Sequence, residues 1–520
     1  MENRQIVRSA FSMGMVTLAS RVFGLLREWV RGYLLGTTHS SDAFTLAFMF
    51  PNLMRRLVGE GALMAAFVPV MAEFKERESR EALDRFVHSF ITVLLIALVV
   101  MVAAVMAGAP LLKHLLPRYQ EVPGKIELTV MLTRLMFPYL LFISLAALSQ
   151  GILNAYRVFV PSAATPILLN ICIVSFGLLA GGVTDDPATA LGFGVLAGGV
   201  VQFFFQMPFL RRLGISYRFR LRPRNRGVVR VFRLMVPGAV GAGVHQLNIL
   251  AAQFITASLG EGSVAALRFS VTMVELVLGI FVISLTTVIL PVLSGKSARG
   301  DLEGMKESLR FALRLVLIIT FPATVGLLLL RFPLIRMLFR YGRFTEESVG
   351  MVSGALLYHS LGLAGIGASR VMVQMFYSLK DTRTPVYLAA MVMAANVALC
   401  FALRGPLGLG GIALAGSATA FMNYLLLAWF LRRKVGGFLD RATGISALKS
   451  LGASLAMLAA LYALRETAAE FLARGRLYNT LGTLGLILAG VLLFTAASLV
   501  LKNRDILALR DALARRLLGR

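Results

Sequence analysis

Apolar runs of about 20 residues, the length a helix needs to cross a hydrocarbon core, recur along this chain from one end to the other. In hydrocarbon every backbone N–H and C=O must be satisfied internally, so runs of this length fold as packed helices or as a closed barrel. Strand-like alternation is rare here, which leaves the helical bundle. Hydrophobic residues make up 58% of the 520 positions and charged residues 15%, against a charged share of about a quarter in soluble domains. A soluble reading is therefore excluded, and the expected fold is an all-α polytopic membrane protein of about fourteen transmembrane helices.

An even number of spans puts both termini on one side. The loops on that side carry roughly three times the Lys and Arg of the opposite loops, so both termini are expected in the cytoplasm of a bacterial inner (cytoplasmic) membrane. The net charge of +27 follows this loop pattern and marks topology rather than nucleic-acid binding. Arg331 to Arg343 is the main exception to the charge rule, which makes it either an interfacial turn or a sign that a nearby span boundary lies elsewhere. Arg4 and Arg8 precede a first span that contains Arg21 and Arg27 and has no small-residue cleavage site, so that span is read as a retained helix and not a signal peptide. Cys172 and Cys400 both lie in apolar runs and are read as packing residues.

Two halves resemble each other. Phe67-Val68-Pro69-Val70-Met71 at the end of span two matches Ile289-Leu290-Pro291-Val292-Leu293 at the end of span eight, 222 positions later. Tyr156 with Pro161 and Tyr377 with Pro385 repeat at nearly the same offset. The longest basic loop, Arg211 through Arg233 with nine arginines, joins the halves. The organisation expected is two pseudo-symmetric six-helix lobes plus two C-terminal helices: residues 1–225, 226–435 and 436–520. Transporters are often built from such repeats.

Charges inside the spans carry the functional signal, because a charged side chain at membrane depth costs several kcal/mol and so faces a cavity or a partner. Span one holds Arg21, Arg27, Glu28 and Arg31; span two holds Asp42, Arg55, Arg56 and Glu60. Arg56 and Glu60, four apart, are expected to pair, and Arg31 to snorkel to the headgroups. Arg21, Arg27 and Arg55 lack an equal number of acids and read as a cationic pocket for an anion. Arginine suits phosphate through its planar fork of donors, and a diphosphate is the natural occupant. In span eight Arg268 and Glu275 share a face and either pair across a wet cavity or brace the bundle. Arg134, Arg314 and Arg370 are read as structural.

Enzyme chemistry is not expected. Ser294-Gly295-Lys296-Ser297 looks like the end of a P-loop, but Leu290 stands where the first glycine belongs and no strand precedes it. His39, His88, His114, His245 and His359 lack metal-ligand spacing, so no metal site is expected. His245 with Gln246 and Asn248 is read as an interior polar group.

Ser20-Arg21-Val22-Phe23-Gly24-Leu25-Leu26-Arg27-Glu28, Ser41-Asp42-Ala43-Phe44, Pro51-Asn52-Leu53-Met54-Arg55-Arg56, Glu60-Gly61-Ala62, Tyr341-Gly342-Arg343-Phe344-Thr345 and Phe376-Tyr377-Ser378 with Asp381 and Thr384-Pro385 together resemble the MurJ/MviN family. Phe137-Pro138-Tyr139 and Gly151-Ile152-Leu153-Asn154 extend the match. The resemblance implies a lipid II flippase of the multidrug/oligosaccharidyl-lipid/polysaccharide exporter superfamily, a transporter working by alternating access. It implies an undecaprenyl-diphosphate-linked substrate and functional roles for Arg21, Arg27, Asp42 and Arg55. The family's further arginine in span eight aligns with Thr272, and Arg268, one turn earlier, is the candidate replacement, with Glu275 beside it. Asn396 is followed one turn on by Cys400 rather than a carboxylate, which departs from the sodium site of some members. No cofactor is expected; a monovalent cation or the membrane potential would supply the energy. The expected partners are lipid II, membrane lipids and cell-wall synthesis proteins, with the chain itself a monomer.

Overall fold

The computed structural model describes residues 2–57, 63–156, 158–220, 222, 225–503 and 505–507, with backbone alone for 2–18, 65, 160, 237–242 and 245. Helix is the regular structure throughout the described residues. Nine of these helices are long and apolar enough to cross a membrane, and Glu346–Leu361 with Leu363–Ser378, bent by 47°, make a tenth as a pair. The expected count of fourteen is compatible with these elements when Arg383–Val435 is divided at Gly408, whose φ of 54° and ψ of −129° break the helix.

The chain packs as two compact units, Met1–Ala265 with Tyr341–Phe344, and Ala266–Arg340 with Thr345–Arg520. The seventh span, Arg226–Ala257, assigned to the second lobe from sequence, packs in the first unit against Leu63–Arg77 and Arg80–Gly108. The division thus falls near residue 265 rather than at 225.

In the first unit, Val160–Ala180 and Pro187–Arg212 form the closest helix pair. Gly194 and Gly198, four apart on one face, make this possible: a Cβ on Gly194 would stand 2.7 Å from the Ile173 Cα, and one on Gly198 3.1 Å from the Leu169 Cα. Where lipid surrounds the helices, apolar side chains gain little by meeting each other, so small residues that let backbones approach give the packing energy. Asp186 starts the second of these helices by accepting from the Ala188 N–H at 2.8 Å, with Pro187 at the first helical position. The long first helix, Glu2–Leu35, packs along Val160–Ala180. Elsewhere the core is aromatic: Phe67 and Phe74 on Leu63–Arg77 meet Phe86 and Phe90 on Arg80–Gly108, with Phe74 and Phe86 centroids 4.6 Å apart.

In the second unit, Leu302–Phe339 is central. Its residues Ile318, Val325 and Leu329 are buried against Ala453, Met457 and Leu461 of Arg441–Thr467 and against Leu486 and Phe494 of Arg476–Val500. The two C-terminal helices therefore share one core with that span. Their other faces expose Leu448, Leu455, Leu488 and Val491, as lipid contact requires.

The internal likeness extends to helix defects. The second helix, His39–Met54, passes into a π turn at 55–57, and Ser263–Val277 passes into a π turn at Leu278–Val282. In each case a proline-containing helix follows, with Pro69 in Leu63–Arg77 and Pro291 in Ile283–Ala298. Single π turns within α-helices recur at functional sites because they re-aim side chains.

Candidate functional site

Three charges of the first helix form a connected group with Asn170 and Thr45. Arg27 donates from Nη2 to Glu28 Oε1 at 2.8 Å and from Nη1 to Asn170 Oδ1 at 3.1 Å. Arg31 places Nη2 3.1 Å from Glu28 Oε2 and donates from Nη1 to Thr45 Oγ1 at 3.3 Å. One carboxylate thus serves two guanidinium groups. Glu28 and Arg31 are 4% and 5% exposed, whereas the Arg27 side chain keeps 22%. The expectation that Arg31 snorkels outward is overturned: it lies between Glu28 and Thr45, which hold it inside.

Arg21 is six residues before Arg27, about 9 Å along the helix axis, and is half-buried. It has no carboxylate within ion-pair distance among the described residues. Arg55 lies in the π turn and donates from Nε and Nη2 to Asn52 Oδ1 at 3.2 and 2.9 Å. Asn52 is three residues earlier on the same helix, so this contact aims the guanidinium along its own helix. The expected pairing of Arg56 with Glu60 falls on Glu60, outside the described residues. The His245 side chain lies outside them as well.

Asp42 is held by three donors. Its Oδ2 accepts from Lys125 Nζ at 2.7 Å and from the Gly262 N–H at 2.8 Å, and its Oδ1 accepts from the Ala265 N–H at 2.9 Å. Asp42 and Lys125 are essentially buried, and the Lys125 ammonium also stands 4.1 Å from the Tyr119 ring centroid. The carboxylate therefore caps the start of Ser263–Val277 from a distance of more than two hundred residues in sequence, meeting donors that a helix start leaves unpaired. All three contacts of the Asp42 carboxylate are thus to Lys125 and to backbone amides, and none is to an arginine.

In the second unit Arg268 Nη1 and Glu275 Oε2 are 3.8 Å apart, both partly exposed, so the two do pair, loosely. Thr272 donates its hydroxyl to the Arg268 carbonyl at 2.9 Å. Arg314 pairs with Asp505 at 3.0 Å and Arg134 donates to the Met106 carbonyl, which gives both a structural partner. Asn396, Cys400 and Thr419 form a buried polar group, with Thr419 Oγ1 donating to Asn396 Oδ1 at 3.3 Å. No group of three or more His, Cys, Asp or Glu side chains suited to a metal ion occurs among the described residues.

Asn170 and Lys125 are the residues that sequence reasoning passed over. Asn170 is an amide in the apolar run 160–180, and a polar group at that depth is itself a signal. Lys125 lies at the start of Lys125–Met136 and reads as an ordinary loop lysine until the fold brings Asp42 to it.

The first unit thus offers a region in which cations outnumber carboxylates: Glu28 is shared by Arg27 and Arg31, and Asp42 is held by Lys125. The charge of such a region suits an anion, and among its described residues no nucleophile stands paired with a base. A family model described as lipid II flippase MurJ matches residues 32–481. The chain is 33% identical over 512 residues to the probable lipid II flippase MurJ of Vibrio cholerae serotype O1, covering 96% of this chain and 97% of that one. It is also 33% identical over 434 residues to the lipid II flippase MurJ of Burkholderia cenocepacia, covering 82% and 84%. A solved structure of the lipid II flippase MurJ in an inward closed conformation is similar with a TM-score of 0.81 and 27% identity, over 95% of this chain and 99% of that one.

Proposed function

This chain belongs to the lipid II flippase MurJ family, and from that premise we propose that it flips the undecaprenyl-diphosphate-linked peptidoglycan precursor from the cytoplasmic to the periplasmic leaflet by alternating access. It is a transporter and not an enzyme. The observation that carries the reading is the cation excess around Arg27, set within a family match that runs from residue 32 to residue 481.

Arg21, Arg27 and Arg55 bind the diphosphate. Arg27 is the best placed of the three for exchange: it combines partial exposure with two short contacts, to Glu28 and Asn170, that orient its fork. A diphosphate oxygen that replaces Glu28 on Arg27 leaves the carboxylate on Arg31, so no buried charge is stranded. Within the second unit Arg268, whose contact with Glu275 is loose, is a further candidate for substrate binding, with Glu275 beside it. Both termini are cytoplasmic, as the loop charges require. An anion moving outward is favoured by an inside-negative potential by about 2.3 kcal/mol per charge per 100 mV, so the membrane potential, or a monovalent cation moving with it, suffices as the energy source without a nucleotide. The chain works as a monomer beside cell-wall synthesis proteins.

The test is complementation of a cell depleted of its lipid II flippase, with externalised lipid II and membrane levels both measured. Wild type restores export. Arg21→Ala, Arg27→Ala and Arg55→Ala insert normally and do not. An inserted wild type that fails to restore export removes lipid II as the substrate, and active alanine variants remove the arginines from the site.

A further inference from the structure

The second unit contains a cavity of about 620 Å³ lined by Arg314, Arg441 and Lys449 over a floor of Ser446, Asn503 and Asp505. The floor is built and buried. Ser446 donates to Asp505 Oδ2 at 2.6 Å, the Asp505 N–H donates to Asn503 Oδ1 at 3.2 Å, and Asn503 Nδ2 donates to Ser450 Oγ at 3.0 Å. Asn503 and Ser450 are fully buried. Asp505 accepts from Arg314 through Nε, at 3.0 Å, and among the described residues both terminal nitrogens of that guanidinium remain for another acceptor. Lys449 donates to the Lys502 carbonyl at 3.0 Å and meets no carboxylate, and Arg441 has none within ion-pair distance among the described residues. Among the described residues, three cations thus line the cavity with one carboxylate.

A neighbouring cavity of about 560 Å³ shows the contrast. It shares Arg314 but is lined by more carboxylates than cations, and Glu303 and Asp440 there engage Lys306 and Arg310. That cavity carries enough carboxylates to offset its cations and the first does not. The first is also lined by Ile445, and Leu448, three residues on along the same helix, is likewise exposed and apolar. A charged head and an apolar edge together define an amphiphile.

We propose that this cavity seats the phosphodiester of an anionic phospholipid of the inner leaflet, with its oxygens among Arg314, Arg441 and Lys449 and its acyl chains along Leu448 and Leu455. Basic pockets between membrane helices on the cytoplasmic side are suited to such headgroups. The leaflet rests on the orientation proposed above; binding in isolated protein does not, so the two readings fail separately.

The experiment compares the full chain in nanodiscs of phosphatidylcholine with and without phosphatidylglycerol, and in phosphatidylcholine with added inorganic phosphate, reading the thermal midpoint and titrating the phosphatidylglycerol. Phosphatidylglycerol raises the wild-type midpoint and inorganic phosphate does not. Arg441→Glu with Lys449→Glu removes at least half of that rise and weakens the titration on the order of tenfold, while Arg211→Glu with Arg212→Glu leaves it unchanged. If the double glutamate variant does not fold, Arg441→Gln with Lys449→Gln gives the same comparison at smaller charge change. An equal rise in the cavity variant, or an equal loss in the Arg211 and Arg212 variant, overturns the site; a rise with inorganic phosphate alone reduces it to an adventitious ion only.

Discussion

The Lys125 ammonium and the Asp42 carboxylate stand 2.7 Å apart with both side chains essentially removed from solvent. A buried pair of this kind adds little over a well-packed apolar pair, yet breaking it by removing one partner costs about 3–5 kcal/mol because a lone charge stays buried. Lys125→Met is therefore expected to lower unfolding stability by about 3 kcal/mol. Adding Asp42→Asn to Lys125→Met restores part of the loss by removing the stranded charge, and only part, because the single amide oxygen can replace one of the two carboxylate oxygens that accept from the Gly262 and Ala265 N–H groups. A double-mutant cycle on thermal unfolding measures the coupling; additive single effects sink the argument.

Asn170 predicts a graded effect on binding. Its oxygen accepts from Arg27 Nη1 at 3.1 Å, so Asn170→Ala leaves the charge in place and loosens its aim. One hydrogen bond to a charged group is worth about 1.5–3 kcal/mol, and part of that returns when Arg27 finds water. The expected loss in affinity for a lipid diphosphate is on the order of tenfold for Asn170→Ala, smaller than for Arg27→Ala, with protein levels unchanged. Equal losses for the two variants would mean that Asn170 acts on folding instead.

Tyr341–Phe344 packs within the first unit through a backbone contact that only glycine permits. The Arg343 N–H donates to the Tyr33 carbonyl at 2.9 Å. Gly36 and Gly342 have φ of 57° and 56°, and a Cβ would lie 2.3 Å from the Arg343 oxygen in the first case and 2.2 Å from the Tyr33 oxygen in the second. Gly36→Ala and Gly342→Ala are each expected to cost about 1–3 kcal/mol. Because both disrupt one contact, the double variant should cost clearly less than the sum, as judged from thermal midpoints in detergent. Full additivity would place the two strains apart.

How far the site was legible in the sequence depended on the sequence distance between partners. Arg21, Arg27 and Arg55 stood out because intramembrane charge is rare and any excess is visible in a single chain. Arg27 with Glu28, and Arg268 with Glu275, lay within helical reach of each other. The partner of Asp42 is 83 positions away and its two amide donors more than 200; no helical periodicity connects them. Arg31 was misjudged for the same reason, since Thr45, on the next helix, helps to hold it inside. The membrane spans themselves were readable because length and apolarity decide them locally, whereas the packing of Arg226–Ala257 in the first unit depends on contacts with Leu63–Arg77 that no local pattern records.

Asp381 supplies a prediction in pH. It lies in the loop between Leu363–Ser378 and Arg383–Val435, where burial pushes its carboxyl up but hydrogen bonds from Lys434 Nζ and from the Thr384 amide and hydroxyl outweigh it and hold the group at about 2. A carboxyl depressed in the folded state contributes stability that is fully present above its unfolded pKa of about 3.9 and is lost as pH falls through about 2. Asp381→Asn cannot ionise, so it lacks this contribution at neutral pH and has nothing to lose in acid. The wild-type midpoint should exceed that of Asp381→Asn at neutral pH, and the difference should shrink between pH about 4 and about 2. Subtracting the variant's curve removes the titration of every other carboxylate, so a difference that stays constant through this window would show that Asp381 is not held by Lys434 and Thr384 in the folded chain.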